Sequence, residues 1–246
     1  MGWLVVVGAE RLCLGIDYRH SDFHRWQRHR VVGASFCGAE SLTTGHGPPC
    51  VMTVQEQYVA YLNGLSDQGT RLELKLAMLL RLRDREKDQN LPEKIPLLFT
   101  SIAEALHVDI ILSLAKLFEE RSGRNIPRFL NYVEANYTHI DWARQRITHD
   151  EITAQRKLIE PHTQAIQSIK GQRDKYFAHH DKEYFTDSSG LNDDFPLTKD
   201  AIINLVRLLQ KILGEHSFAL NGSMRVSIAE FATIHLDDMI RRLSGR

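Results

Sequence analysis

Cysteine is scarce in this chain and is absent from most of it. The three cysteines among the 246 residues are Cys13, Cys37 and Cys50. An odd number of cysteines without metal-ligand spacing is typical of free thiols in a reducing compartment, so we expect a cytoplasmic protein. Because all three lie in the first 50 residues, where the sequence is atypical, we do not expect a cysteine nucleophile.

The chain also lacks an excess of charge and a long apolar run. It has 31 Lys and Arg against 31 Asp and Glu. A protein that coats polyanions usually carries a basic excess, so any contact with RNA should be local. The sequence has no run of about 18 apolar residues, so we expect no membrane span. The short apolar run at residues 3–7 lacks the basic leader of a signal peptide.

Several familiar catalytic patterns are missing too. The sequence contains no Gly-rich phosphate loop, no Gly-x-Ser-x-Gly elbow and no His-Glu-x-x-His pair, so we expect neither cofactor nor metal. The acidic pairs Asp193–Asp194 and Asp237–Asp238 are typical of solvated surfaces and loops rather than of metal sites.

The composition changes sharply near residue 51. Residues 1–51 contain all three cysteines, seven of the 15 glycines and no lysine, without helical or strand periodicity. We interpret them as an atypical N-terminal extension, or as the product of a mis-assigned upstream start, with Met52 as the biological initiator. The predicted folded domain is residues 52–246.

Apolar residues recur at intervals of three and four after Met52, which predicts amphipathic helices and no strands. Short loops between such helices indicate an all-α bundle of about five or six helices. The predicted helices cover residues 53–87 with an interruption at 66–69, residues 95–120, a short helix from Pro127, residues 150–178 with a kink at Pro161, a helix after the N-cap Thr198, and a last helix from Ser227 with a capping box to Glu230.

One stretch at the end of the predicted helix 150–178 combines a cation with ionisable groups. It contains Arg173, His179 and Asp181. The spacing alone is unspecific, because Arg144 and His149 share it. A structural interpretation is also open, in which Arg173 pairs with carboxylates at the helix end and the histidines cap its C-terminus, where cations are favoured.

The stretch resembles the motif of the HEPN superfamily, in which an arginine and a polar residue are followed after a few positions by a histidine. Arg173, Asp174 and His179 occupy these positions, and the fuller string with Lys175 and Asp181 resembles the AbiU-type abortive-infection branch. The helical segment 108–118 and the Asn-Ile-Pro at 125–127 agree with that branch. The resemblance covers roughly residues 55–245.

The resemblance implies a HEPN-like helical bundle, a homodimer with the motif near its interface, and a metal-independent endoribonuclease of phage defence or toxin systems. It implies RNA as substrate and leaves room for an antitoxin or regulatory partner. Some HEPN toxins carry a tyrosine two residues after the motif histidine. Here that position is Asp181, so modification of such a tyrosine is not expected.

The residue types suit this chemistry. Histidine exchanges a proton near neutral pH, and the planar guanidinium of arginine matches phosphate oxygens. A dimer would supply the second acid–base group that one site lacks. The family motif assigns the catalytic roles to Arg173 and His179, although seven positions on an ideal helix would place His180 beneath Arg173.

Two functions therefore stay open. The first is the ribonuclease, with Asp174, Lys175, His180 and Asp181 in supporting roles. The second is a non-catalytic helical module that binds RNA or a partner protein.

Overall fold

The computed structural model describes residues 52–87, 96–119, 123–177, 190–224 and 226–243. Residues 1–51, and with them the predicted N-terminal extension, lie outside this range. Every regular element of the described residues is helical, so the all-α prediction is confirmed. The helices are α1 (Val54–Lys87), α2 (Pro96–Phe118), α3 (Ile126–Asn136), α4 (His149–Ile159), α5 (Thr163–Gln172), α6 (Leu191–Asp194), α7 (Lys199–Asn221) and α8 (Ala229–Leu243).

Polar capping residues precede several of these helices. The Thr198 hydroxyl accepts a hydrogen bond from the Ala201 N–H at 3.1 Å, which confirms the predicted N-cap of α7. Thr148 and Glu151 form a reciprocal capping box at α4, which the sequence analysis missed. The predicted capping box of Ser227 with Glu230 is wrong: α8 begins at Ala229, and the Ser227 hydroxyl accepts from the Ala229 N–H at 3.3 Å while it donates to the Glu73 carboxylate of α1 at 2.6 Å.

Helix α1 runs without the interruption predicted at residues 66–69, and that prediction is wrong. The stretch stays helical because it packs against α7. A Cβ at Gly69 would lie 3.4 Å from side-chain atoms of both Leu209 and Leu213, and Gln210 Nε2 donates to the Gly69 carbonyl at 2.8 Å. Tertiary packing therefore overrides the weak helix propensity of this segment.

The core lies where α1 packs against α2, α7 and α8. Its largest fully buried side chains are aromatic and branched aliphatic, which is the composition expected for a close-packed interior. They include Tyr58, Phe99, Phe129, Leu62, Leu65, Leu72, Leu82, Ile110, Ile111, Leu114, Leu117 and Ile126.

One described helix is long and apolar enough to meet the length and hydropathy criteria for a membrane span. It covers Leu97–Phe118, within α2, and a single such helix is weak evidence because core helices meet the same criteria. Ile110, Ile111 and Leu114 of this helix are fully buried, and Asp109 pairs with Lys75 of α1. These contacts join the C-terminal half of the helix to the rest of the described fold.

The kink predicted at Pro161 is confirmed. The residue lies in a 3₁₀ turn, Glu160–His162, that separates α4 from α5. Helix α5 then continues into a single π-helical turn, Arg173–Phe177. Both α5 and this turn contact α2, so the predicted motif begins beside the C-terminal end of α2.

Candidate active site

The segment that leads into the motif is anchored to residues 190–195. Gln172 is 5% exposed, and its Nε2 donates to the Phe195 carbonyl at 2.9 Å. The Phe195 ring lies against Gly171, where an added Cβ would be 2.1 Å from ring atom Cδ1. The glycine thus permits a close approach that fixes the backbone just before Arg173.

The motif itself begins in the π-helical turn. Such turns are rare and occur frequently at functional sites. Because the turn is wider than an α-helix, the projection that placed His180 beneath Arg173 does not apply to Arg173–Phe177. Helix geometry therefore does not select between His179 and His180. Both histidines, together with Asp181, lie outside the described residues.

The guanidinium of Arg173 is bound by two carboxylates. Its Nη1 donates to Glu119 Oε2 at 2.6 Å and its Nη2 to Glu119 Oε1 at 3.3 Å. Its Nε donates to Asp174 Oδ1 at 2.7 Å. Two charge-assisted bonds to the Glu119 carboxylate and a third to the Asp174 carboxylate fix the plane of the guanidinium.

These contacts shift the titration of both partners. The hydrogen bond that Arg173 donates to Asp174, and then those it donates to Glu119, raise the pKa of Arg173. The hydrogen bond from Arg173 lowers the pKa of Glu119. The arginine therefore remains a cation and Glu119 remains a carboxylate at neutral pH.

The arginine lies at the rim of the protein rather than in its core. The side chains of Arg173, Glu119 and Asp174 are 19%, 25% and 52% exposed. Lys175 is exposed as well. The position allows contact with a ligand phosphate, while the pairing itself also agrees with the structural interpretation of Arg173.

Two residues that the sequence analysis did not assign to the site, Glu119 and Asn125, hold the guanidinium of Arg173 in place, Glu119 directly and Asn125 through Glu119. Glu119 directly follows α2, and the side chain of the fully buried Asn125 donates to the Glu119 carbonyl. The Asn125 Oδ1 also accepts from the Arg128 N–H at 2.8 Å and so caps α3. The Asn-Ile-Pro string predicted a helix start there, but no local pattern indicated the pairing of Glu119 with Arg173.

The alternative pair, Arg144 and His149, has separate neighbours. Arg144 lies against Gly222 at the end of α7, where an added Cβ would be 2.8 Å from its Nε. His149 Nε2 lies 3.1 Å from Glu134 Oε1 of α3. The described contacts thus give the two residues no shared partner.

A buried histidine was also missed by the sequence analysis. His216 of α7 is fully buried, with Tyr58 Oη 3.1 Å from its Nδ1 and Gln155 Oε1 3.1 Å from its Nε2. Burial lowers its pKa to about 3. It is therefore neutral near pH 7 and enclosed among aromatic rings, which is a structural arrangement rather than a catalytic one.

Comparison with known proteins gives one match. The model of the HEPN family AbiU2 matches residues 55–243. No curated protein and no solved structure matches the chain.

Proposed function

The chain belongs to the AbiU2 family of HEPN domains, and we propose that it is a metal-independent endoribonuclease of abortive infection, acting in phage defence or as a toxin. The observation that carries the proposal is the state of Arg173. The first residue of the motif is a permanent cation at the rim of the fold, with its guanidinium plane fixed by two carboxylates. Preorganised positive charge is what a developing phosphorane requires.

The proposed reaction is attack of the RNA 2′-hydroxyl on the adjacent phosphate. His179 removes the 2′-OH proton, Arg173 stabilises the anionic phosphorane, and a protonated acid–base group donates a proton to the departing 5′-oxygen. In a homodimer the second motif supplies that proton donor. Asp181 would orient an imidazole, while Asp174, Lys175 and His180 are the other supporting residues.

The proposal includes the setting of the reaction. A protein with free thiols would work in the cytoplasm, where RNA is available. Unrestrained cleavage of cellular RNA would harm the host, so the proposal includes an antitoxin or regulatory partner that holds the protein inactive until infection.

A second function is a non-catalytic module that binds RNA or a protein. It is favoured by the fact that Glu119 and Asp174 already occupy Arg173, as in a purely structural ion pair. The two functions predict different effects of motif substitutions on cell growth. Only the ribonuclease should arrest growth in a way that depends on Arg173 and His179.

Induced expression of the full chain tests the proposal. We expect the wild type to arrest growth and Arg173→Ala or His179→Ala to relieve the arrest. Arg156→Ala is the control, because Arg156 lies outside the motif and, like Arg173, donates to a partly exposed glutamate, here Glu134 at 2.6 Å. Arrest by all four proteins, or by none of them at equal soluble expression, would favour the binding module.

A further inference from the structure

Glu119 holds the two terminal nitrogens of Arg173, the same donors that match a phosphate. Asp174 takes the remaining nitrogen. A phosphate that binds the fork of the guanidinium must therefore share it with a carboxylate or displace one.

The Glu119 carbonyl is held by a partly buried chain of hydrogen bonds. The Asn125 side chain donates to the Glu119 carbonyl, and Asn125 is fully buried. The Tyr61 hydroxyl of α1 in turn donates to the Asn125 carbonyl and accepts from the Asn125 N–H, both at 3.2 Å. This chain connects α1, the end of α2 and the start of α3 to the motif arginine.

We infer that Glu119 is a positioning residue for Arg173 and that its carboxylate competes with RNA phosphate for the same guanidinium. The inference rests on the proposed function. Glu119 orients the guanidinium but lowers the affinity for RNA, because its carboxylate occupies the terminal nitrogens of Arg173 and repels an approaching phosphate. A residue with only a structural role would not oppose substrate binding.

Glu119→Gln separates these two effects. The amide keeps the length of the side chain and one acceptor oxygen but removes the charge. Without the Glu119 charge, a phosphate no longer competes with a carboxylate for Arg173. Because the partly exposed Arg173–Glu119 ion pair contributes little free energy, we expect RNA affinity to rise only roughly threefold. We expect kcat to fall roughly tenfold because the guanidinium loses its fixed orientation.

Two further variants of the full chain serve as controls. Glu119→Asp keeps the charge and shortens its reach, so we expect a lower kcat without tighter binding. Asp237→Asn neutralises another carboxylate that holds arginine side chains. Asp237 accepts from Arg81 Nε at 2.9 Å and Nη2 at 2.6 Å, and from Arg85 Nε at 3.2 Å. The substitution should leave kcat unchanged, which shows that the effect belongs to Glu119 and not to net charge.

A second measurement does not depend on RNA cleavage. Phenylglyoxal modification of Arg173, followed by peptide mass mapping, reports how well the guanidinium is shielded. We expect Glu119→Gln to accelerate modification of Arg173 at least threefold, and Asp237→Asn to leave it at the wild-type rate.

The outcomes separate the two claims. Tighter RNA binding with lower kcat in Glu119→Gln supports the inference. Unchanged parameters, or weaker binding together with slower cleavage, would overturn it. If the wild type does not cleave RNA, the proposed function fails, and the modification rate of Arg173 alone decides whether Glu119 restrains it.

Discussion

Two polar centres of this molecule illustrate different uses of an ionisable side chain. His216 is fully buried, and burial alone lowers its pKa to about 3. Arg173 lies at the rim, and the hydrogen bonds that it donates to Asp174 and Glu119 raise its pKa. In the first centre the environment removes the charge, and in the second it preserves the charge and fixes its direction. A neutral enclosed group stabilises a fold, whereas an oriented rim cation is suited to a ligand.

The neighbours of the two centres reinforce the contrast. His216 meets the Phe129 ring edge to face, with centroids 4.7 Å apart, and lies near Tyr58. Arg173 instead contacts only groups that carry the opposite charge among its described partners. We therefore expect substitutions at the first centre to change stability and substitutions at the second to change activity.

The largest effect on stability is expected from His216→Ala. It leaves a cavity among the aromatic rings and removes the partners of Tyr58 and Gln155. We expect the free energy of unfolding to fall by about 3–5 kcal/mol in urea titrations. His235→Ala is the control, an exposed histidine whose removal should cost less than about 0.5 kcal/mol. Equal losses in the two variants would contradict the assignment of His216 to the core.

The next effect tests the anchor behind the motif. An alanine at Gly171 would clash with the Phe195 ring, so we expect Gly171→Ala to destabilise the protein by about 1–3 kcal/mol. Gly214→Ala is the matched control, because nothing lies within 4 Å of a Cβ there, and we expect a gain of about 0.5–1 kcal/mol. Thermal or urea unfolding of both variants checks this. The close contact of Gly171 with Phe195 would be contradicted if both glycines tolerated alanine equally.

The pH dependence of stability sharpens the contrast further. Folded His216 stays neutral down to about pH 3, while the unfolded chain binds a proton below about pH 6.5. Stability should therefore fall as the pH drops from about 6.5 to 3, with a loss of about 2 kcal/mol by pH 5. Burial, and then Arg83, also lower the pKa of His107, so the contribution of His216 is the difference between wild type and His216→Gln. Parallel stability curves for the two proteins would contradict the prediction.

The smallest effect on stability is expected at the motif itself. Arg173→Ala removes an ion pair that is partly exposed, so the free energy of unfolding should change by no more than about 1 kcal/mol. Circular dichroism and urea unfolding of this variant check the expectation. A loss as large as that of His216→Ala would mean that Arg173 serves the fold, which would break the comparison.

Local sequence signals predicted most of the helices and the start of the candidate site. The kink at Pro161 and the N-cap at Thr198 follow from the covalent geometry of proline and from a hydroxyl next to unpaired N–H groups, and both are present. The interruption at residues 66–69 was wrong because contacts with α7 accompany a continuous helix there. The capping box at Ser227 was wrong because its hydroxyl accepts from Ala229 rather than Glu230 and donates to Glu73 of α1. Long-range packing cannot be read from local composition.

The same limit applies to the site. The motif indicated Arg173 and Asp174, but the pairing with Glu119 joins residues 54 positions apart along the chain. The burial of His216 likewise depends on rings from α1 and α3. The structure supplies these partners because α2 packs against α5 and the π-helical turn, and because α1, α3 and α7 meet around His216.

The most direct test of the central claim is cleavage of total cellular RNA by the purified full chain in EDTA, beside His179→Ala and His180→Ala. The account predicts cleavage by the wild type that resists the chelator and falls at least about 10²-fold in His179→Ala. His180→Ala should retain most of the activity. Absence of cleavage by the folded wild type, or cleavage that persists unchanged in His179→Ala, would contradict the account.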